Sequence, residues 1–174
     1  QNDDYGVIEV GMDKKGEIDQ LSKIIQPDIS VITNINYAHA KNFKNIRQIA
    51  LAKAEIIGNT KDNGYVVLNA DDAFFGLHKK IAHKKKIKVL SFGINNQYAD
   101  IKLHNIIKYK KKYKICIKIN KIKKNFIVSN DFQNHIYNIL AATTVKSVFF
   151  NILKLDKNIF LNFRTPEGRG DITK

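Results

Sequence analysis

Residues 5–57 read YGVIEVGMDKKGEIDQLSKIIQPDISVITNINYAHAKNFKNIRQIALAKAEII, and this stretch decides the fold. Apolar runs at 5–10 and 28–35 predict two strands. Apolar residues at helical spacing predict a helix after each strand, at 17–25 and at 42–57. Strands that alternate with helices of this length are typical of βαβ units and of a largely parallel sheet.

The alternation of strand and helix continues along the next part of the chain. The sequence predicts a strand at 65–69, a helix at 72–84 and a strand at 89–92. Residues 99–129 then alternate isoleucine and tyrosine with lysine at period two, which predicts antiparallel strands with one face in water. The predicted fold class is therefore α/β, a largely parallel sheet flanked by helices with a small antiparallel β portion around 99–129.

Local signals mark the limits of the remaining helices. Asp71 or Asp72 would cap the helix at 72–84, because a short carboxylate accepts the free N–H groups at a helix start. Helical spacing returns at 134–152 and, more briefly, at 155–163. These two segments complete the predicted elements.

The charge of the chain restricts the classes of partner. It carries 30 lysines and arginines against 16 acidic residues, a formal net charge of +14, but only three of the basic residues are arginines. Proteins that read nucleic acids rely on arginine for bidentate contacts to phosphate and guanine. A basic, non-catalytic nucleic-acid-binding domain therefore remains only a remote alternative, and we expect no nucleic-acid partner.

Hydropathy and cysteine content bear on location. No apolar run approaches the ~20 residues that a membrane-spanning helix needs. The single cysteine, Cys116, cannot form a disulfide within the chain and fits a reducing compartment. We expect a cytoplasmic protein without membrane insertion.

Three side chains in the first 57 residues suggest a site. Glu9 ends the first apolar run, His39 follows the second after a polar loop, and Lys53 lies in an alanine-rich helix. Ligands of open α/β sheets bind beyond the carboxyl ends of the strands, so these groups predict divalent-metal and phosphate chemistry. The alternatives are an exposed loop glutamate, a surface histidine and a lysine whose stem covers apolar surface.

Several motifs follow one another in a fixed order: EVG at 9–11, GEI at 16–18, PDISVITNINYAH at 27–39, IALAKAEII at 49–57 and VVLNADD at 66–72. In order and spacing they resemble the central domain of the Mur ligase family. The resemblance covers essentially the whole chain. It implies a fragment of a central ATP-binding domain at 1–170, with 171–174 starting the link to a C-terminal domain.

The phosphate loop of that family, G-x-x-G-K-[ST], does not occur in this sequence. The resemblance places it upstream of Gln1, together with a UDP-binding domain. Such a loop supplies the backbone N–H groups and the lysine that hold the ATP phosphates. We therefore expect these 174 residues alone to be inactive.

The GEI and AKAEI elements, the VLSFG and ADI segment and the final GRG favour one branch of the family. That branch joins D-alanyl-D-alanine to UDP-N-acetylmuramoyl-tripeptide. The resemblance implies an ATP-dependent amide ligase of peptidoglycan precursor synthesis that acts through an acyl phosphate, uses ATP and Mg²⁺, and is a monomer at full length. Another Mur-type ligase or folylpolyglutamate synthase remains an alternative.

The resemblance also implies roles for individual residues. Glu9, His39 and Lys53 would bind Mg²⁺, with Lys53 carbamylated so that it offers anionic oxygens, and His39 and Lys53 would be the catalytic pair. Two further groups would bind the nucleotide. They are Asn134, His135 and Asn138 in NHIYNILAA, and Arg169 in GRG.

The match at the nucleotide residues is partial. The family pattern is HNxxNxLAA, whereas this chain has Asn134 and then His135, so the first two residues are reversed. Only Asn138 carries over directly. For Arg169, an ordinary hinge arginine is the alternative.

Overall fold

The computed structural model describes residues 3–37, 42–130 and 135–162. By compactness the chain divides into two units, Gln1–Ser91 and Phe92–Lys174. In chain order, the elements are α1 (Glu17–Ile25), β1 (Ile29–Ile32), α2 (Ile46–Lys53), α3 (Glu55–Gly58), β2 (Tyr65–Asn69), α4 (Phe75–Lys84), β3 (Lys88–Gly93), β4 (Ile101–Tyr109), β5 (Lys112–Ile119), β6 (Ile122–Val128), α5 (Ile136–Phe149) and a 3-10 helix (Ile152–Lys154).

The first unit is built on a parallel pair of strands. β1 pairs with β2, with Ile29 opposite Tyr65 and Ile32 opposite Leu68. Parallel strands need a crossover connection, and α2 and α3 lie in that connection, which confirms the predicted βαβ unit. Helices and strands share one apolar core, whose buried members include Ile18, Ile32, Ile49, Ile57, Val66, Leu68, Ala82 and Ile87.

The second unit is mainly antiparallel. The end of β3 pairs in parallel with the start of β4, and β4, β5 and β6 follow as an antiparallel meander. Lys110 and Asn120, in the two tight reversals, have left-handed backbones with φ of 56° and 53°. Phe126 is fully buried and meets Phe160 edge to face, with 5.2 Å between ring centroids.

The strand order in the sheet is β1-β2-β3-β4-β5-β6. Parallel pairing at the start of this order and antiparallel pairing over 101–128 confirm the predicted fold class, including the small antiparallel portion. The helices at 17–25 and 134–152 are confirmed as α1 and α5. No helix in the described part of the chain is both long enough and apolar enough to cross a bilayer.

The predicted strand at 5–10 is wrong. None of the six strands of the described chain includes these residues, and Val7 and Ile8 are 100% and 61% exposed. A strand forms only where its backbone N–H and C=O groups pair with a neighbour. An apolar, β-branched composition alone therefore overstates the order of this segment.

Two predicted helices are shorter than expected. The helix at 42–57 is divided into α2 and α3 at Ala54, and the helix at 72–84 begins only at Phe75. The assignment of Asp71 or Asp72 as its N-cap is wrong, because Phe74 occupies that position. The carboxylate of Asp72 instead accepts hydrogen bonds in the preceding turn and from a separate loop.

The predicted helix at 155–163 is also wrong over its described residues, which form turns. Asp156 Oδ1 accepts the N–H of Asn158 at 3.0 Å, and the backbone bonds that follow join residues three apart. Short polar side chains offer the backbone such local partners and so compete with a helix.

Candidate functional site

Lys53 reaches the loop that follows β1. It is the last residue of α2, and its Nζ donates to the backbone carbonyl of Asn34 at 3.0 Å. Asn34 lies just beyond the carboxyl end of β1. Lys53 is therefore held at the kind of edge where open α/β sheets bind ligands.

The apolar face of α2 fixes Lys53 in this place. Ile49, Ala50 and Ala52 are buried in the core, while Lys53 itself is half-buried. Burial lowers the pKa of the Lys53 amine from its ordinary value, and the negative charge of Asp72 opposes part of this shift. The consequence is a larger fraction of neutral, nucleophilic amine than a lysine in water has.

Asp72 lies beyond the carboxyl end of the neighbouring strand, β2. One carboxylate oxygen, Oδ2, accepts the N–H of Ile35 at 2.8 Å, and the other, Oδ1, accepts the N–H of Phe74 at 2.8 Å. A single side chain therefore joins the loop after β1 to the turn after β2. Hydrogen bonds to an ionised carboxylate are stronger than neutral ones, so the two segments are held firmly together.

His78 ties α4 to α2. It is 2% exposed, and its Nε2 lies 3.0 Å from the carbonyl oxygen of Ala50, so Nε2 carries the proton. Burial lowers the pKa of His78, whereas the bond to Ala50 and the charge of Asp72 raise it, and the charge of Lys53 lowers it further. The lowered pKa favours a neutral ring, which holds the helix that carries Lys53.

Glu55 connects α3 to the start of α1. Its carboxylate accepts the N–H of Gly16 and the N–H of Asp19, each at 3.1 Å. Gly16 is the N-cap of α1 and has a left-handed backbone, with φ of 92°. Glycine has no side chain to accept the free N–H groups of a helix start, so Glu55 provides that cap from another part of the chain.

The three predicted metal residues differ in where they lie in the structure. Lys53 lies at the end of β1, as described above. Glu9 is exposed and belongs to the segment that forms no strand, so its expected place at a strand end is wrong, although its role as a ligand remains a prediction. His39 lies outside the described residues.

The predicted nucleotide residues belong to the second unit. His135 is half-buried and directly precedes α5, and Asn138 is exposed in the first turn of α5. Asn134 and Arg169 lie outside the described residues. An exposed amide such as that of Asn138 is accessible to a ligand, and its contact with adenine remains a prediction.

Across the described ranges, no three His, Cys, Asp or Glu side chains lie together in a way that could hold a metal ion. Mg²⁺ rarely uses such a cage and is usually held by one or two carboxylates together with substrate phosphates and water. A carbamylated Lys53 would supply carboxylate-like oxygens, so its position fits a site of that sparse kind.

The model of the Mur ligase middle domain family matches residues 1–146 of the chain. The chain belongs to this family. The predicted family is thereby confirmed, and the α/β unit that carries Lys53 lies entirely within the matched residues of the Mur ligase middle domain.

Curated relatives point to one branch of the family. This Mur ligase middle domain is 40% identical to UDP-N-acetylmuramoyl-tripeptide–D-alanyl-D-alanine ligase of Buchnera aphidicola subsp. Acyrthosiphon pisum over 107 residues, 61% of this chain and 23% of that protein. It is 41% identical to the ligase of the same name from Borreliella burgdorferi over 97 residues, 55% of this chain and 20% of that protein. The matched part of the chain thus spans less than a quarter of the length of these relatives.

A solved structure agrees with these relatives. A MurF ligase from Thermotoga maritima in complex with ADP is 26% identical to the Mur ligase middle domain described above. The alignment covers 83% of this chain and 34% of that chain, with a TM-score of 0.71.

The contacts of Asp72 and His78 around Lys53 were not predicted from the sequence. A signal for Asp72 was present, because it lies three residues beyond the end of the apolar strand β2, as Asn34 lies two residues beyond the end of β1. The rule that places Lys53 at a strand edge applies equally to Asp72. His78 carries no such signal, since a single histidine on a helix does not reveal the carbonyl that it contacts.

Proposed function

We propose that the chain is the central domain of an ATP-dependent ligase that joins D-alanyl-D-alanine to UDP-N-acetylmuramoyl-tripeptide in peptidoglycan precursor synthesis. The observation that carries this proposal is Lys53, a half-buried lysine with a lowered pKa held beyond a strand end in a Mur ligase middle domain. The names of the most similar curated relatives support the choice of substrates.

Lys53 is suited to carbamylation. The neutral form of a lysine amine is the one that adds to CO₂, and burial increases the share of that form. The product is an anion in place of a cation, with two oxygens of the type that Mg²⁺ prefers. Lys53, Glu9 and His39 would together hold Mg²⁺, which supplies neutralisation of phosphate charge when bound.

The other residues of the site would position the reactants. Asn138, with Asn134 and His135, would bind the adenine side of ATP, and Arg169 would reach a phosphate. Phosphoryl transfer depends mainly on alignment and on charge neutralisation, so side chains fixed by a rigid core suit it. In the proposed reaction the tripeptide carboxylate becomes an acyl phosphate, and the D-alanyl-D-alanine amine then displaces phosphate.

Location and assembly form part of the same proposal. We infer a cytoplasmic enzyme, because its precursor substrates are soluble nucleotide conjugates, and one that is monomeric at full length, as the resemblance to the Mur ligase family implies.

The test is a ligation assay on the full-length protein. With ATP, Mg²⁺, UDP-N-acetylmuramoyl-tripeptide and D-alanyl-D-alanine, we expect the pentapeptide product by mass spectrometry, together with one ADP and one phosphate per product. Release of AMP and pyrophosphate would contradict the acyl phosphate route. Ligation of glutamate to a folate, without activity on the tripeptide, would contradict the substrates and favour folylpolyglutamate synthase.

A further inference from the structure

The peptide unit between Asn34 and Ile35 is held on both of its edges by charged side chains. Lys53 Nζ donates to the Asn34 carbonyl oxygen at 3.0 Å, and Asp72 Oδ2 accepts the Ile35 N–H at 2.8 Å. The carbonyl and the N–H belong to one planar peptide, and no peptide bond in the described chain is cis, so they point in opposite directions. A cation therefore lies at the negative end of this peptide dipole and an anion at its positive end.

This arrangement is built from three elements of the first unit. Asn34 and Ile35 follow β1, Lys53 ends α2, and Asp72 follows β2. Ile35 is 7% exposed, so water cannot easily replace Asp72 as the acceptor for its N–H. Asp72 is anchored in turn by the N–H of Phe74, which limits its freedom to move away.

We propose that Asp72 is a positioning residue for Lys53, acting through the Asn34–Ile35 peptide. The carboxylate fixes the plane of this peptide, and the peptide carbonyl fixes the direction in which the Lys53 nitrogen points. This role requires no direct hydrogen bond between Asp72 and the Lys53 nitrogen. The inference rests on the proposed function, because it assigns a purpose to the direction of Lys53.

The direction matters once Lys53 is carbamylated. The neutral amine forms a bond to the carbon of CO₂, one C=O π pair moves onto oxygen, and one N–H proton passes to water, which leaves a single N–H on the nitrogen. If the Asn34 carbonyl accepts that N–H, the two carbamate oxygens must turn away from the peptide. Asp72 would therefore decide where the anionic oxygens lie, although it is bonded to neither of them.

Amide hydrogen exchange tests the arrangement without any need for catalysis. In the ¹⁵N-labelled full-length protein, Asp72→Ala should accelerate exchange at the Ile35 amide about tenfold or more, the scale for losing a bond to a charged acceptor. Lys53→Met should accelerate exchange at the same amide by a smaller factor, although Lys53 does not touch that N–H. Asp72→Asn, which keeps one acceptor oxygen, provides a second variant if Asp72→Ala does not fold.

Asp28→Asn is the matched control. Asp28 is an exposed carboxylate that precedes the opposite end of β1, where it pairs with Lys61 at 2.8 Å. This variant should leave exchange at Ile35 unchanged. Unchanged exchange at Ile35 in both Asp72 variants, or an equal change in the Asp28 control, would overturn the proposal.

A double-mutant cycle separates positioning from simple stabilisation. In the ligation assay, Asp72→Asn should lower kcat up to a hundredfold, the scale for misplacing a reacting group by about 1 Å, with KM for ATP changed less than about twofold. In the Lys53→Ala background the same change should lower kcat little further. If the losses in kcat from the two single substitutions multiply in the double variant, Asp72 acts independently of Lys53, and the positioning role is contradicted.

The two proposals can fail separately. If the wild-type protein shows no ATP-dependent ligation, the proposed function fails, while the exchange data still decide whether Asp72 and Lys53 hold one peptide. If ligation occurs but exchange at the Ile35 amide is unchanged by substitution of Asp72 or Lys53, only the positioning role fails.

Discussion

Lys53 in the first unit differs in its contacts from a row of three lysines in the second unit. In the first unit, Lys53 is half-buried and donates to a backbone carbonyl. In the second unit, Lys102, Lys118 and Lys123 lie directly opposite one another on β4, β5 and β6, and we call these three residues the lysine row. Lys102 and Lys118 are half-buried, as Lys53 is, and Lys123 is exposed.

The difference shows that environment, and not residue type, gives a lysine its chemistry. Partial removal from water lowers the pKa of Lys53 and so increases the neutral, nucleophilic fraction of its amine. The lysine row instead combines three like charges, which repel one another across neighbouring strands. The net charge of +14 therefore says little about function, because it counts every lysine alike whatever its surroundings.

The largest expected effect is on catalysis. In the full-length protein, Lys53→Ala should lower kcat by about a thousandfold, as when a catalytic electrostatic group is removed, with the melting temperature nearly unchanged because alanine is a good helix former. Added short carboxylates that fill the vacated space should restore part of the rate. Lys118→Ala, in the lysine row, is the control and should keep normal turnover; a similar loss in both variants would erase the distinction between the two environments.

The second effect is on the stability of the antiparallel strands that carry the lysine row. Phe126→Ala should lower the free energy of unfolding by about 3 kcal/mol, because it leaves a cavity beside Phe160 in a buried site. Ile122→Ala, at a position on the same strand that is 49% exposed, should cost much less. Denaturant titrations measure both, and equal losses would show that the meander lacks a core of its own.

The third effect is on the pH dependence of stability. It concerns His78, whose bond to Ala50 holds the helix that carries Lys53. Because the folded protein holds the pKa of His78 below its ordinary value of 6.5, the unfolded chain takes up the proton more readily. The contribution of neutral His78 to the free energy of unfolding is complete above pH 6.5. As the pH falls, this contribution declines by up to about 1.4 kcal/mol for each pH unit.

Two variants on α4 isolate the contribution of His78. His78→Gln can still donate to Ala50 and should remove this part of the pH dependence of unfolding. His83→Gln, at an exposed position on the same helix, should leave it unchanged. Identical pH profiles for the wild type and His78→Gln between pH 5 and 7, roughly the range in which histidine titrates, would contradict the assignment.

The smallest effect concerns the lysine row itself. Lys118→Gln should raise the free energy of unfolding by a few tenths of a kcal/mol at low salt, since it relieves repulsion on both sides, and the gain should vanish at high salt. Lys80→Gln, at an exposed position on α4, is the control.

The lysine row also gives a test of the expectation that nucleic acid is not a partner. Fluorescence anisotropy with labelled duplex or single strand should show weak binding that collapses as salt rises. Tight binding that survives salt and depends on Lys102, Lys118 and Lys123 would contradict that expectation and give the row a function.

Periodicity predicted the order of elements well because it reports on local burial. The strand at 65–69 and the helix at 17–25 have the predicted bounds, since the strand is buried on both faces and the helix buries one stripe. The strand at 5–10 failed because pairing is a property of two segments, and composition describes only one. Of the predicted metal residues that the structure describes, Lys53 reaches a strand end and Glu9 does not, and the metal-binding role of Lys53 remains a prediction.

The contacts around Lys53 that the sequence did not predict are long-range ones. The bond from Ile35 to Asp72 and the bond from His78 to Ala50 join residues 37 and 28 positions apart, and no periodic pattern records such a pair. Each depends on how two elements pack, which only the folded chain determines.

The cap that Glu55 gives to α1 has a consequence for folding. A nine-residue helix is too short to persist alone in water, and the N-cap of α1 is a glycine that offers no acceptor. Its missing acceptor arrives with α3, 39 positions later, so α1 becomes stable only after the intervening chain has closed into a loop. We expect α1 and α3 to gain protection from exchange in the same kinetic phase of refolding, and to open together in the native state.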